Sequence, residues 1–321
     1  MKPAWQIVRL FLLSAVLLVA AQASAQYPAK PIRMIVTIAP GGAPDVVARI
    51  LAQRLSETIG QPVVIENKTG ANGNIAGEFV AKSEPDGYTL LFAADSPIVV
   101  NPHIYKMPYD PLTDLVPVVS VASNEFFVSV NPDLPVKTLP ELVEYARNAD
   151  PPLLYASGGI GSLHQLGIEM LKQRAGINLT HVPYRGGTPA TTATLGGETH
   201  VVLAGGSVTP LLQAGKLRGL AATGAKRSPL FPELPTVAEF YPGYELTSWF
   251  GVFAPVGTPE PVLTKLRNEV QKALPEIAPR LNVTGRLEPL MLSTEEFSAL
   301  IRRDFENNRK IVNDVGIRLE R

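Results

Sequence analysis

Ile32-Arg-Met-Ile-Val-Thr-Ile-Ala-Pro-Gly-Gly-Ala-Pro-Asp-Val-Val-Ala-Arg-Ile-Leu51 is the stretch from which the fold can be read. Residues 32–38 are mostly apolar and rich in β-formers, which predicts a strand. Ala39 to Asp45 hold two glycines and two prolines, the composition of a turn. Val47, Ile50, Leu51 and Leu55 then recur at helical spacing and predict a helix from Asp45 to Thr58. Downstream, Val63 to Glu66 reads as a strand and Asn74 to Lys82 as a helix. Asp86-Gly87 is a turn, and Thr89 to Ala93 a buried strand. This βαβαβ order predicts an α/β layer with a mostly parallel sheet.

The middle of the chain repeats the pattern. Strands are expected at Phe126–Val130, Leu153–Ser157, Leu179–Val182, Val201–Ala204 and Leu217–Thr223. Helices are expected at Leu139–Asn148, Ser162–Ala175, Thr188–Leu195 and Thr209–Ala214. After a Pro- and Gly-rich stretch comes a strand, Trp249–Ala254, then helices at Pro259–Leu274, Ile277–Leu281 and Thr294–Val315. These last helices carry apolar stripes (Val262, Leu266, Val270; Phe297, Ile301, Phe305) but have no sheet of their own. The simplest burial returns them to the first sheet. The expected architecture is therefore a two-lobed α/β fold with a hinge between the lobes. Lobe 1 would hold residues 26–124 plus 248–321, and lobe 2 residues 125–247.

Residues 1–25 read as a secretory signal. Lys2 and Arg9 precede a short apolar run, and Ala23-Ser24-Ala25 is a small-x-small cleavage site. The run is shorter than a spanning helix needs. Export to the periplasm follows as an expectation. Without Lys2 and Arg9, 27 basic residues face 29 acidic ones. No basic stripe is present, so nucleic acid is not an expected partner. The chain has no cysteine, which excludes disulfides and thiol chemistry. Its four histidines form no ligand-spaced pair, so neither metal nor cofactor is expected. No phosphate-binding loop, dinucleotide fingerprint or G-x-S-x-G elbow occurs, and an enzyme is not expected.

Two Gly-containing turns are the most informative chemical feature. Pro40, Gly41 and Gly42 lie between the first strand and its helix. Gly158, Gly161 and Ser162 lie between Ser157 and the next helix, with His164 in its first turn. Each turn sets a helix start at the carboxyl end of a strand, where open α/β sheets bind ligands. Free N–H groups there favour an anion. A third turn holds Tyr184, Arg185, Gly186, Gly187 and Thr188; a fourth holds Gly205 and Gly206; Ser96 follows the Thr89–Ala93 strand. Asp45 has two readings. It offsets the helix dipole and pairs with Arg49 at i,i+4, or it accepts from a ligand amino group.

The blocks Tyr27-Pro-Ala-Lys30-Pro31-Ile32-Arg33, Ala39-Pro-Gly-Gly42 with Asp45 and Ala48-Arg49, and Gly60-Gln61-Pro62-Val63-Val64 carry a resemblance. It continues through Pro85-Asp86-Gly87-Tyr88-Thr89-Leu90, Gly161-Ser162, His181-Val182-Pro183-Tyr184 and Gly215-Lys216-Leu217-Arg218 to Pro235-Thr236-Val237-Ala238-Glu239. On these the chain resembles the Bug family, the periplasmic substrate-binding proteins of tripartite tricarboxylate transporters. The resemblance implies a class II-type periplasmic binding fold that closes on a small carboxylate and delivers it to membrane transporter subunits. A monomer is expected. An alternative partner is a membrane sensor that receives the same solute. Pro44, Gln165 and Gly205-Gly206 depart from the family's usual residues and imply a less polar or bulkier carboxylate, such as an aromatic one.

Overall fold

The structure is a computed structural model that describes residues 27–285 and 287–317; the leader expected over residues 1–25 lies outside them. In chain order it runs β1 (Ile32–Val36), α1 (Ala43–Ile59), β2 (Val63–Asn67), α2 (Asn74–Ala81), β3 (Thr89–Ala94) and the short α3 (Ser96–Val99). Next come β4 (Leu115–Val130), α4 (Leu139–Asn148), β5 (Leu154–Ser157), α5 (Leu163–Ala175), β6 (Thr180–Pro183) and α6 (Gly187–Leu195). The chain continues through β7 (Val201–Gly205), α7 (Thr209–Gln213), β8 (Arg218–Ala222), β9 (Thr247–Pro255), α8 (Glu260–Gly285), β10 (Glu288–Pro289) and α9 (Thr294–Val315).

The strands lie in the order β2-β1-β3-β9-β4-β7-β5-β6, with β8 and β10 also paired to β4. The outer pairings are parallel: β1 with β2 and β3, and β5 with β6 and β7. The centre corrects the expectation of a mostly parallel sheet, because every pairing of β4 and β9 is antiparallel. β4 and β9 lie side by side at the centre of the strand order and run in opposite directions. β4 also begins eleven residues earlier than expected. Pro117 hid this part, since proline within a strand is confined to edges and bulges. Pro117 sits at such a register shift.

β4 serves both halves of the molecule. Up to Glu125 it pairs with β9, and from Phe126 it pairs with β7. On the first side, alternate residues of β1 enter different cores. Ile32, Met34 and Val36 pack with α1 and with Leu266, Val270 and Leu274 of α8. Ile35 joins Trp249, Phe253, Phe297 and Ile301 on the opposite face. Both α8 and α9 therefore bury their stripes against the first sheet. α8 is continuous through Pro275 and Pro279, where a break was expected. Leu274, Ile277 and Leu281 are buried along that segment, so packing overrides the helix-breaking preference. No helix among the described residues is long and apolar enough to cross a membrane.

Candidate ligand-binding site

A cavity of about 430 Å³ lies where the carboxyl ends of β1, β3, β5, β6 and β7 meet β4 and β9. That size suits a small molecule. The β1–α1 turn forms one wall through Pro40, Gly41, Gly42 and Pro44. Gly41 adopts φ +86°, a left-handed conformation that favours glycine. Its N–H donates to Asp45 Oδ2 at 2.9 Å. Asp45 is buried and also accepts from Arg49 Nε at 2.9 Å and from Asn67 Nδ2 at 2.8 Å. Burial alone would raise its pKa, but the bonds from Arg49, Gly41 and Asn67 outweigh it and hold the carboxyl below its ordinary value. Asp45 is thus engaged in shaping the turn and is not among the residues that line the cavity, which supports the structural reading of it.

Arg49→Ala is expected to cost about 1 kcal/mol in urea unfolding at pH 7, one charge-assisted hydrogen-bonding partner being lost from a half-exposed pair. A carboxyl with a depressed folded pKa contributes stability above its unfolded value near 4 and loses it as pH falls through the folded one. The difference from the wild type should therefore close in strong acid. A gap that stays constant down to about pH 2 would contradict the role given to Asp45.

The opposite wall begins at the β5–α5 turn. Ser162 caps α5, accepting from Gln165 N–H, and donates to the Gly159 carbonyl at 2.7 Å. His164 follows with its ring partly buried, edge-on to Phe126 at 5.3 Å between centroids. Burial pushes its pKa down to about 4, so it lines the site as a neutral ring. Glycines let this ring fit. A Cβ at Gly158 or at Gly187 would stand 2.9 Å from one of its nitrogens. The α6 start completes the wall. Gly187 and Thr188 present N–H groups that have no intrahelical partner, and Pro189 has none to present.

Of the residues singled out from the sequence, Pro40, Gly41, Gly42, Ser96, Gly158, Ser162, His164, Gly186, Gly187, Thr188 and Gly205 line the cavity. Five do not. Asp45 is engaged as described. Ser157 is buried beneath the turn and bonded to His181 Nε2 at 2.6 Å. Gly161 donates to Gln165 Oε1, and its carbonyl accepts from Asn72 Nδ2. Tyr184 turns outward to Glu198. The Gly206 N–H is taken by Asn124 Oδ1 at 2.9 Å. Each lies in the correct turn, but turns alternate groups that face the cleft with groups that hold the loop.

Several lining residues were not anticipated: Asn72, Asp95, Asn124, Phe126, Ser248 and Phe250. Four of them form a strip on neighbouring strands. Asn124 lies opposite Ser248 in the β4–β9 register, with Phe126 and Phe250 two residues further along each strand. The available signal was the period-two placement of Asn124 and Ser248 inside strand sequence. Arg185 also lines the cavity and is exposed. Among the described lining residues it is the one guanidinium and Asp95 the one carboxyl. Among the described residues no group of three His, Asp or Glu side chains could share a metal ion.

The sequence profile of the tripartite tricarboxylate transporter family receptors matches residues 47–317. The protein BugT of Bordetella pertussis is 34% identical over 309 residues, covering 94% of each chain. The structure of the R. palustris protein Rpa4515 with adipate superimposes with TM-score 0.85 at 36% identity, over 92% of this chain and 100% of that one. That of MatC from Rhodopseudomonas palustris with bound malate gives TM-score 0.79 at 27% identity, over 89% and 100%.

Proposed function

The chain belongs to the Bug family of tripartite tricarboxylate transporter receptors, and we propose that it is an exported periplasmic receptor that captures a small carboxylate by closure of its two lobes and delivers it to the membrane subunits of such a transporter. The observation that carries this is the cavity itself, ringed by helix starts and hydroxyls and almost free of fixed charge. A carboxylate fits the start of α6, where Gly187 and Thr188 have N–H groups without intrahelical partners and line the same cavity as Arg185. Ser162, Ser96, Ser248 and Asn124 offer neutral hydrogen-bonding groups to the rest of the ligand. Capture needs no proton transfer or bond change, and the neutral His164 supplies packing and shape. The adipate and malate of the related structures support this ligand class.

We place lobe 1 at residues 26–124 plus 248–321 and lobe 2 at 125–247. The change of partner along β4 at Glu125–Phe126 supports that division. Only two passages would then join the lobes, as hinge closure requires.

A ligand that binds only the folded chain stabilises it by about 2.7 kcal/mol at a hundredfold excess over Kd. In a thermal-shift screen, at least one member of a panel of mono-, di- and aromatic carboxylates should raise Tm by several degrees. Stabilisation by sugars or cations, with none by any carboxylate, would overturn the assignment.

A further inference from the structure

Asp95 ends the loop between β3 and α3 and forms part of the cavity wall. It is 3% exposed. Its carboxyl accepts from the Trp249 N–H and from the Ser96 hydroxyl, both at 3.3 Å, and the Ser248 hydroxyl and the Ser96 N–H also bond it; all its partners are neutral. Among the described residues no lysine, arginine or histidine forms an ion pair with it. The charged groups around it are engaged elsewhere or lie across a second, outer cavity. Asp304 of α9 accepts from Trp249 Nε1 and pairs with Arg303, and its negative charge adds to the burial that raises the Asp95 pKa. Arg174 of α5 donates to the Gly243 carbonyl. Glu245 and Lys310 line the outer cavity that shares Asp95 as a wall. A buried carboxyl lacking a cation, in a cavity open to a ligand, acts on whatever the ligand brings to it.

We propose that Asp95 sets the charge class of the ligand: the cleft takes one carboxylate at the α6 start and, against Asp95, a hydrogen-bond donor such as an ammonium, amide or hydroxyl, and it rejects a second carboxylate. This rests on the carboxylate-receptor reading above. A dicarboxylate can set only one of its ends at Arg185 and α6. Its other end meets a wall whose one ionisable side chain is an acid, and like charges brought together in a desolvated site weaken binding by an order of magnitude or more. The chain would then differ from relatives whose structures hold adipate and malate.

The discrimination also depends on pH. Burial pushes the Asp95 carboxyl up to about 7. Below that it is neutral and can itself donate to a second carboxylate; above it the charge excludes one. His164 stays neutral across this range and does not confuse the readout.

The test is calorimetric titration of matched pairs: adipate against ε-aminocaproate, and terephthalate against para-hydroxybenzoate. At about pH 8 the donor-tailed member of the pair that fits should bind about tenfold tighter or more, and the preference should shrink toward pH 6. Asp95→Asn, which keeps an acceptor for the Trp249 N–H, should bring the dicarboxylate to within about twofold. The wild-type pH series carries the test even should that variant not fold. A dicarboxylate that binds the wild type at pH 8 as tightly as its partner overturns the inference, as does a preference that Asp95→Asn leaves intact. Binding by no carboxylate of any kind overturns the receptor reading and this inference with it.

Discussion

Asp95→Asn should raise the stability of the ligand-free protein by about 2–4 kcal/mol at pH 8 and leave it nearly unchanged at pH 4. In the unfolded chain an aspartate ionises near pH 4. In the folded protein burial without a cation holds the proton until about 7. The folded state thus binds more protons than the unfolded state across that window. The stability this confers is complete below the unfolded pKa and is lost as pH rises through the folded one, by about 1.4 kcal/mol per unit at most. An amide has the same shape, accepts the Trp249 N–H and carries no charge to desolvate.

His164 works in the opposite direction. Its folded pKa lies near 4 against about 6.5 unfolded, so its share of stability is present above 6.5 and lost as pH falls toward 4. In the wild type the two groups largely offset each other between pH 4 and 7. Removing Asp95 leaves the histidine unopposed, and the stability of the variant should climb steadily with pH over that interval. Denaturant unfolding at a series of pH values measures this. A variant whose curve runs parallel to that of the wild type would show that Asp95 is not held neutral by the fold.

Phe297→Ala should cost about 3–5 kcal/mol, the range for emptying a buried aromatic site. Phe297 is 1% exposed. Its ring meets Trp249 edge-on at 5.2 Å and Phe253 at 5.8 Å. It packs over Gly251, where a Cβ would stand 2.6 Å from the ring, so the sheet and α9 touch with no side chain between them. The loss should exceed that of Phe297→Leu by about 2 kcal/mol, since leucine fills part of the space. Trp249 also contacts Asp95 and Asp304, so loosening α9 should weaken ligand binding in proportion. A loss under about 1 kcal/mol would mean that α9 is not anchored through this ring.

The elements most legible in the sequence were those whose signals are local. α4 and α9 have the bounds that periodicity and capping predict, with Ser293 and Glu296 closing a capping box at the start of α9. The Gly41–Gly42 and Gly158–Ser162 turns announced themselves because a positive φ or a close approach of backbone to a ring leaves little choice but glycine. Less legible were the first part of β4, obscured by Pro117, and the continuity of α8 through its two prolines. Both are decided by what packs against them.

The sequence by itself determined the order of strands and helices, the places where helices begin at strand ends and the scarcity of fixed charge near those starts. Each depends on interactions within a few residues. Only the tertiary structure decided which groups of each turn face the cleft. Asp45 was drawn back by Arg49 and Asn67, and Ser157 by His181. Asp95 was brought to the wall and left there without a cation. The physical reason is that burial and partnership are set by distant segments. Asp95 meets Trp249 across 154 residues of chain, and no local pattern records that approach.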